Sequence, residues 1–304
     1  MSPRIAFIFN ANGGCGQCRD WLQTHRASVD RLAAGGPVNL VEDGAQIQAA
    51  VDRALARGCR VVVAGGGDGT LSAVASRLVG TPATFGVVPL GTLNHFAKDS
   101  GIPADPLAAL DCIAAGYTTQ VDVGEVNGHC FLNNSSIGLY VDLVRDRERQ
   151  QTRLGRGKWP AFAWAMLGTL RRYPFLTALL TVDGDAVAHR TPFVFVGNNS
   201  YRTEGLQIGQ RDRLDGGSLS IYVADRAGRW RLLGLGLRAL AGRLGQARDF
   251  RAFSALEVRI DTGHRQLRVA IDGELLRLNA PLNYRIRPGA LRLIVPAPAP
   301  AEVE

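Results

Sequence analysis

The first 120 residues alternate short apolar, β-branched runs with longer segments of helical period. Strand-like runs fall at 5–9, 38–41, 60–64 and 85–88. Each is followed by a stretch, at 21–34, 45–57, 71–79 and 93–99, whose apolar residues recur at helix-face spacing. Val61-Val62-Val63-Ala64 is apolar throughout and reads as a buried strand. Strand–helix alternation of this kind predicts a parallel sheet covered by helices, and in such sheets ligands sit beyond the carboxyl ends of the strands. The residues directly after each strand are therefore where chemistry is expected.

From about residue 121 the rhythm changes. Runs at 121–126, 130–133, 177–182, 193–196, 219–223, 256–260, 267–271 and 275–278 are strand-like and have no regular helices between them. They predict a second, largely antiparallel β domain. Two helical insertions interrupt it, at 139–172 and 229–244, both mixing Arg with large apolar side chains. The prolines of Pro296-Ala297-Pro298-Ala299-Pro300 cannot donate ladder hydrogen bonds, so 296–304 reads as a loose tail. The expected division is 1–120, 121–295 and 296–304.

Composition narrows the class. A chain of 304 residues with 46% hydrophobic content can bury two cores. Lys and Arg outnumber Asp and Glu by 35 to 27, a formal charge of +8 that favours anionic partners such as phosphates or acidic lipid surfaces. No nucleic-acid recognition motif accompanies that charge, and no nucleic-acid partner is expected. The longest uncharged apolar stretch, 159–170, is shorter than the roughly 18 residues a membrane span needs. The first residues lack the apolar region of a secretory signal, so the expected compartment is the cytoplasm. Five cysteines, at 15, 18, 59, 112 and 130, argue against a disulfide framework. Cys15 and Cys18 form a C-x-x-C, but no second Cys/His pair at ligand spacing accompanies them, which favours two reduced thiols over a redox or metal site.

The loops carry the candidate chemistry. The 60–64 strand runs into Gly65-Gly66-Gly67-Asp68-Gly69-Thr70 just before a helix. Glycines let backbone approach a phosphate closely, and a helix N-terminus offers unpaired N–H groups and a positive dipole end. Asp68 would repel bare phosphate, so its expected role is to hold Mg²⁺ or a metal-bound water. No Walker-type Gly-Lys-Ser/Thr follows. Two further strand ends lead into small hydrogen-bonding residues, Asn10-Ala11-Asn12-Gly13-Gly14 and Pro89-Leu90-Gly91-Thr92-Leu93-Asn94. Three such loops converging predict a nucleotide pocket. Further on, Asp272-Gly273-Glu274 is most simply a hairpin turn, although paired carboxylates would suit a base for an alcohol beside a metal. Asp212-Arg213-Leu214-Asp215-Gly216-Gly217 is most simply a turn whose oxygens could also cage a hard cation.

Gly66 to Thr70, Pro89 to Asn94, 131–138, 194–199, Asp215-Gly216 and Asp272-Gly273-Glu274 occur in an order that resembles the diacylglycerol kinase catalytic-domain family. Within it the likeness is to the soluble bacterial lipid kinases related to sphingosine and ceramide kinases. That resemblance implies an α/β nucleotide-binding domain, of the kind shared by NAD kinases and diacylglycerol kinases, joined to a β-sandwich. It implies ATP as donor, Mg²⁺, and a membrane lipid hydroxyl, on diacylglycerol, ceramide or a sphingoid base, as acceptor. By match to the family motifs Glu274 would be the general base and Asp68 part of the Mg²⁺ and phosphate network. Asn10, Asn12, Gly13, Gly66, Gly67, Asp68, Gly69, Thr70, Leu71, Ser72, Thr92 and Asn94 would line the nucleotide. Asp215, with main-chain oxygens at Asp212 and Gly217, would hold a structural magnesium. One position departs: many relatives carry Asp after the residue matching Asn94, where this chain has His95, a poor substitute in a magnesium network. The plainer alternative is a solvent-facing first-turn residue.

A lipid acceptor must be reached from outside the bilayer. Arg145, Arg147, Arg149, Arg153, Arg156 and Lys158 precede the apolar 159–170, and Arg171-Arg172 follow it. Basic residues beside Trp and Leu suit docking on an anionic membrane, each charge contributing about 1 kcal/mol near the surface. Peripheral association with the inner face of the membrane is the resulting expectation. The rival readings are a kinase of a soluble metabolite such as NAD, which shares the Gly-Gly-Asp-Gly loop, and a non-catalytic nucleotide-sensing membrane protein.

Overall fold

The computed structural model describes residues 4–12, 17–138, 175–182, 184–202, 210–211, 213–224 and 250–298. Gly13, Cys15, Asp212 and the insertions expected at 139–172 and 229–244 lie outside the described residues. The chain divides into two units, 1–123 with 288–304, and 124–287.

In the first unit four parallel strands, β1 (Ile5–Asn10), β2 (Val38–Val41), β3 (Val61–Gly66) and β4 (Thr84–Pro89), stand in the order β2-β1-β3-β4. The apolar runs of β1, β3 and β4 are buried almost end to end, with Phe7, Ile8, Phe9, Val62, Val63 and Phe85 shielded from solvent, whereas only Val41 of β2 is buried. Phe7 and Phe9 stack with ring centroids 6.0 Å apart. Helices α1 (Gln17–Ala33), α2 (Gly44–Ala56) and α3 (Asp68–Leu78) make the crossovers. In α2 the buried residues Ile47, Ala50, Val51 and Ala54 repeat on one face, and Asp43 caps the start by accepting the Gln46 N–H at 2.8 Å. α3 buries Leu71, Val74, Ala75 and Leu78 at the same spacing. Because β1 lies between β2 and β3, the chain direction across the sheet reverses at β1/β3, which places the expected ligand crevice at Asn10 and Gly65-Gly66.

After the short helix α4 (His95–Asp99) comes α5 (Pro106–Ala115), an element not anticipated from periodicity. Its signals are all present: Asp105 accepts the Ala108 N–H, Pro106 sits at the start, and Gly116 ends the helix with φ 72°. Strands β5 (Thr118–Val126) and β16 (Leu282–Ile294) each run from one unit into the other. The end of β16 pairs parallel to β4, Arg292 with Thr84 and Leu293 with Phe85, so the last strand completes the first unit. Leu291, Leu293 and Ile294 are buried there.

The second unit is antiparallel. β12 (Phe250–Ala255), β11 (Leu219–Ala224), β10 (Phe193–Asn198), β7 (Asn134–Gly138), β14 (Gln266–Ile271) and β15 (Glu274–Asn279) form one sheet in that order. β13 (Glu257–Asp261) pairs with β8 (Leu176–Val182) and with 282–285 of β16, and β8 pairs with β9 (Asp185–Thr191). The core gathers Ile137, Val194, Val196, Ile221 and Val269 from the first set with Ala178, Leu180, Val258, Ile260 and Tyr284 from the second. Each large aliphatic side chain so buried contributes about 1.5–3 kcal/mol. β6 (His129–Phe131) brings Phe131 edge-on to Tyr284, whose buried hydroxyl meets Ser135 Oγ at 3.0 Å.

Candidate active site

In the first unit the three loops expected to line a nucleotide meet. Asn10 Nδ2 donates to Thr70 Oγ1 at 3.0 Å, joining the end of β1 to the first turn of α3. Asn10 Oδ1 accepts the Asn12 N–H at 3.0 Å, and Asn12 Nδ2 donates to Glu42 O at 2.9 Å. The β3–α3 and β4–α4 loops touch glycine to glycine: a Cβ on Gly67 would stand 3.3 Å from Gly91 Cα, and one on Gly91 would run into Gly67 Cα. Gly66 is equally crowded, with Thr70 Oγ1 2.7 Å from where its Cβ would be. Gly67 and Gly91 are required by close backbone approach, and Gly66 by the Thr70 side chain. No side chain caps α3, whose first turn is Asp68, Gly69 and Thr70. Leu71 is fully buried, so only its main chain can serve a ligand there. Thr92 is exposed, and Asn94 closes on its own loop, accepting the Gly91 N–H at 3.0 Å and donating to Gly91 O at 2.9 Å.

Asp68 makes contacts the sequence did not suggest. Its two carboxylate oxygens accept the N–H groups of His95, at 3.2 Å, and Phe96, at 3.1 Å, the first residues of α4. The carboxylate thus ties the two glycine loops together. Two of its roughly four acceptor directions are used, which leaves it able to face a metal or metal-bound water. Among the described residues no three His, Cys, Asp or Glu gather into a metal cage. His95 is exposed at the first position of α4. For Asp68→Asn, with one acceptor oxygen in place of two, one of the two N–H bonds is lost. Loss of about 1 kcal/mol of stability is expected from that cap-like contact, and thermal unfolding measures it.

In the second unit the remaining motifs converge. Asp272 and Gly273 both adopt positive φ, 46° and 89°, the signature of the tight hairpin turn that an Asp-Gly pair favours. The turn joins β14 to β15, with Ile271 paired to Glu274. Asp272 accepts the N–H groups of Leu132 at 2.7 Å, Asn133 at 2.8 Å and Asn134 at 3.0 Å, so the turn is fastened to the β6–β7 connection. Glu274 is solvent-exposed at the start of β15. The Asp215 turn lies beside β10, since a Cβ on Gly216 would come 2.7 Å from Asn199 Oδ1. That oxygen is buried and has no hydrogen-bond partner among the described residues. Arg213 grips the Asp215 carboxylate at 3.0 and 3.4 Å and lowers its pKa. The guanidinium takes two of the roughly four acceptor directions of that carboxylate.

Cys18 is buried in α1, its thiol directed at Gly65 O at 3.7 Å, and burial pushes it up to about 11. A thiol held protonated in that way is a poor nucleophile or ligand. No local sequence signal marks Arg211, which is buried and reaches Leu132, Asn133 and Asn198 across the chain.

The chain thus carries a parallel-sheet unit with glycine loops at its switch point and an antiparallel unit of packed strands. Residues 4–126 match the diacylglycerol kinase catalytic domain, and residues 135–295 match the YegS C-terminal NAD kinase beta sandwich-like domain. The chain belongs to the family of proteins that carry these two domains. It is 30% identical over 282 residues to a Pseudomonas fluorescens protein named "Probable lipid kinase YegS-like", covering 90% of this chain and 91% of that one. Identity to a protein of the same name from Pseudomonas aeruginosa is 31% over 267 residues, covering 85% of this chain and 84% of that one. Over 140 residues, 45% of this chain and 44% of the other, it is 31% identical to a diacylglycerol kinase of Staphylococcus aureus. The fold is also that of a crystallised diacylglycerol kinase from Bacillus anthracis, with TM-score 0.74 at 22% identity over 99% of this chain and 98% of that one.

Proposed function

We propose that this protein is a lipid kinase that transfers the γ-phosphoryl group of ATP to a hydroxyl of diacylglycerol, ceramide or a sphingoid base. The observation that carries the reading is the meeting of Asn10, Gly66–Thr70 and the Gly91 loop at the β1/β3 switch point, in a chain similar to proteins named "Probable lipid kinase YegS-like" and "Diacylglycerol kinase". The close-packed glycines and the α3 N-terminus suit phosphate oxygens, and Asn10, Asn12, Thr92 and Asn94 supply polar groups around them. Magnesium, held by Asp68, would neutralise charge on the phosphate oxygens. Glu274 takes the proton from the acceptor hydroxyl as its oxygen bonds to the γ-phosphorus. The bond to the β–γ bridging oxygen breaks, ADP departs, and Glu274 returns the proton to solvent. General-base assistance of this kind contributes about 10²–10⁴-fold.

Two further parts of the reading rest on the same likeness. A structural magnesium would use Asp215 with main-chain oxygens of Asp212 and Gly217, and the unpaired Asn199 Oδ1 beside Gly216 supports an electropositive guest there. Peripheral association with an anionic inner membrane face would use the basic, apolar 145–172 stretch, which lies outside the described residues. No described helix is long and apolar enough to cross a membrane.

The acceptor is tested by supplying γ-labelled MgATP with diacylglycerol, ceramide, sphingosine or NAD. Label is expected in one of the three lipids. Labelled NAD would overturn the lipid reading, and no product from any acceptor would leave only nucleotide binding.

A further inference from the structure

The connection 132–134, between β6 and β7, is held from both sides. Its N–H groups all go to Asp272, and Asp272 N–H returns a bond to Asn134 O at 2.9 Å. On the carbonyl side Arg211 Nη1 donates to Leu132 O at 2.6 Å and Arg211 Nη2 to Asn133 Oδ1 at 2.8 Å. Asn198 Nδ2 also reaches Leu132 O, at 2.9 Å. Tyr201 Oη donates to Asn133 O at 2.9 Å. Arg211 is 5% exposed, Asn133 6% and Asn198 0%, so this is a buried polar network in which each lost bond strands a partner.

The network is built rather than incidental. The Arg211 guanidinium carbon lies 5.5 Å from the centroid of the Tyr201 ring, and Tyr201 and Arg211 pair as an antiparallel bridge. Gly197 makes room for that ring, since a Cβ there would come 2.6 Å from Tyr201 Cε2. Three of these tethers end on the backbone to which Asp272, two residues before Glu274, is fastened, and the fourth ends on the Asn133 side chain.

We propose that Arg211, with Tyr201 behind it, is a positioning residue that sets Glu274 through the 132–134 connection and the Asp272 turn. The inference rests on the reading of Glu274 as the base. A planar guanidinium bridges Leu132 O and Asn133 Oδ1 at once, whereas a lysine ammonium is a point donor that cannot hold both in that geometry. Slackening there moves the carboxylate relative to the proton it takes. Misplacement by about 1 Å costs a reaction about 10²-fold.

The experiment is steady-state transfer from γ-labelled MgATP to the fastest of diacylglycerol, ceramide and sphingosine in mixed micelles, with Arg211→Lys, Tyr201→Phe, Glu274→Gln and the Arg211→Lys/Glu274→Gln pair. Arg211→Lys is expected to lower kcat about 10-fold or more, with KM for ATP within about twofold. Tyr201→Phe should lose less, in the same direction. On the Glu274→Gln background Arg211→Lys should cost no more than about twofold, because the base it positions is gone. A kcat within twofold of wild type for folded Arg211→Lys, or the same loss on both backgrounds, overturns the proposal. Should Arg211→Lys not fold, an unchanged kcat for Tyr201→Phe overturns it. Wild-type turnover by Glu274→Gln would instead remove the base assignment itself.

Discussion

Glu274→Gln is expected to lower phosphoryl transfer by about 10²–10⁴-fold while ATP affinity stays within about twofold of wild type. The amide is nearly isosteric with the carboxylate, so the hairpin that carries it should survive. Its turn depends on Asp272 and Gly273, with φ of 46° and 89°, and on the three N–H groups that Asp272 accepts, none of which the substitution removes. What disappears is a carboxylate able to accept the proton. Equilibrium binding of ATP beside steady-state kinetics separates the two effects. Substantial remaining turnover would mean that the acceptor oxygen is activated elsewhere.

Gly91→Ala should have the second large effect, on the nucleotide site rather than on the base. Its added methyl would meet Gly67 Cα and, at 2.6 Å, Asn94 Oδ1. The first obstacle is backbone and cannot rotate away, so the β3–α3 and β4–α4 loops must part. Overpacking of this sort costs about 1–3 kcal/mol. Parting the loops also strains the Asp68 bonds to His95 and Phe96. A drop of about 10-fold or more in ATP affinity is expected, with a lowered unfolding temperature. Gly44→Ala is the control: nothing lies within 4 Å of its Cβ, it begins α2, and alanine there should be neutral or stabilising by about 0.4–1 kcal/mol. Equal losses from both substitutions would contradict the close-approach explanation.

Much of the first unit was legible because its strands are short, apolar and followed by helices of clear period. The glycine loops announced themselves for the same reason that they matter: few residue types permit backbone to touch backbone. The return strand β16 was not legible, since Pro288-Gly289 in mid-run reads as a break. The structure accommodates it with Gly289 at φ 56° and its N–H on Asp122 at 2.8 Å. β9 was missed because most of its residues are exposed and its pattern lacks an apolar face. In the candidate site, motif order brought Asp68 and Glu274 to notice, but the dual role of Asp68 as the tie to α4 depends on a partner 27 residues away. Arg211 was invisible for a similar reason. It acts on residues 78 and 79 positions earlier, and nothing in its local sequence marks it.

The most direct test of lipid phosphorylation is to incubate the protein with ATP labelled at the γ or the α position and vesicles that contain phosphatidylglycerol with diacylglycerol, ceramide or sphingosine. Label from the γ position alone should pass into the organic-soluble lipid, and label confined to the aqueous phase with every acceptor would contradict a lipid kinase.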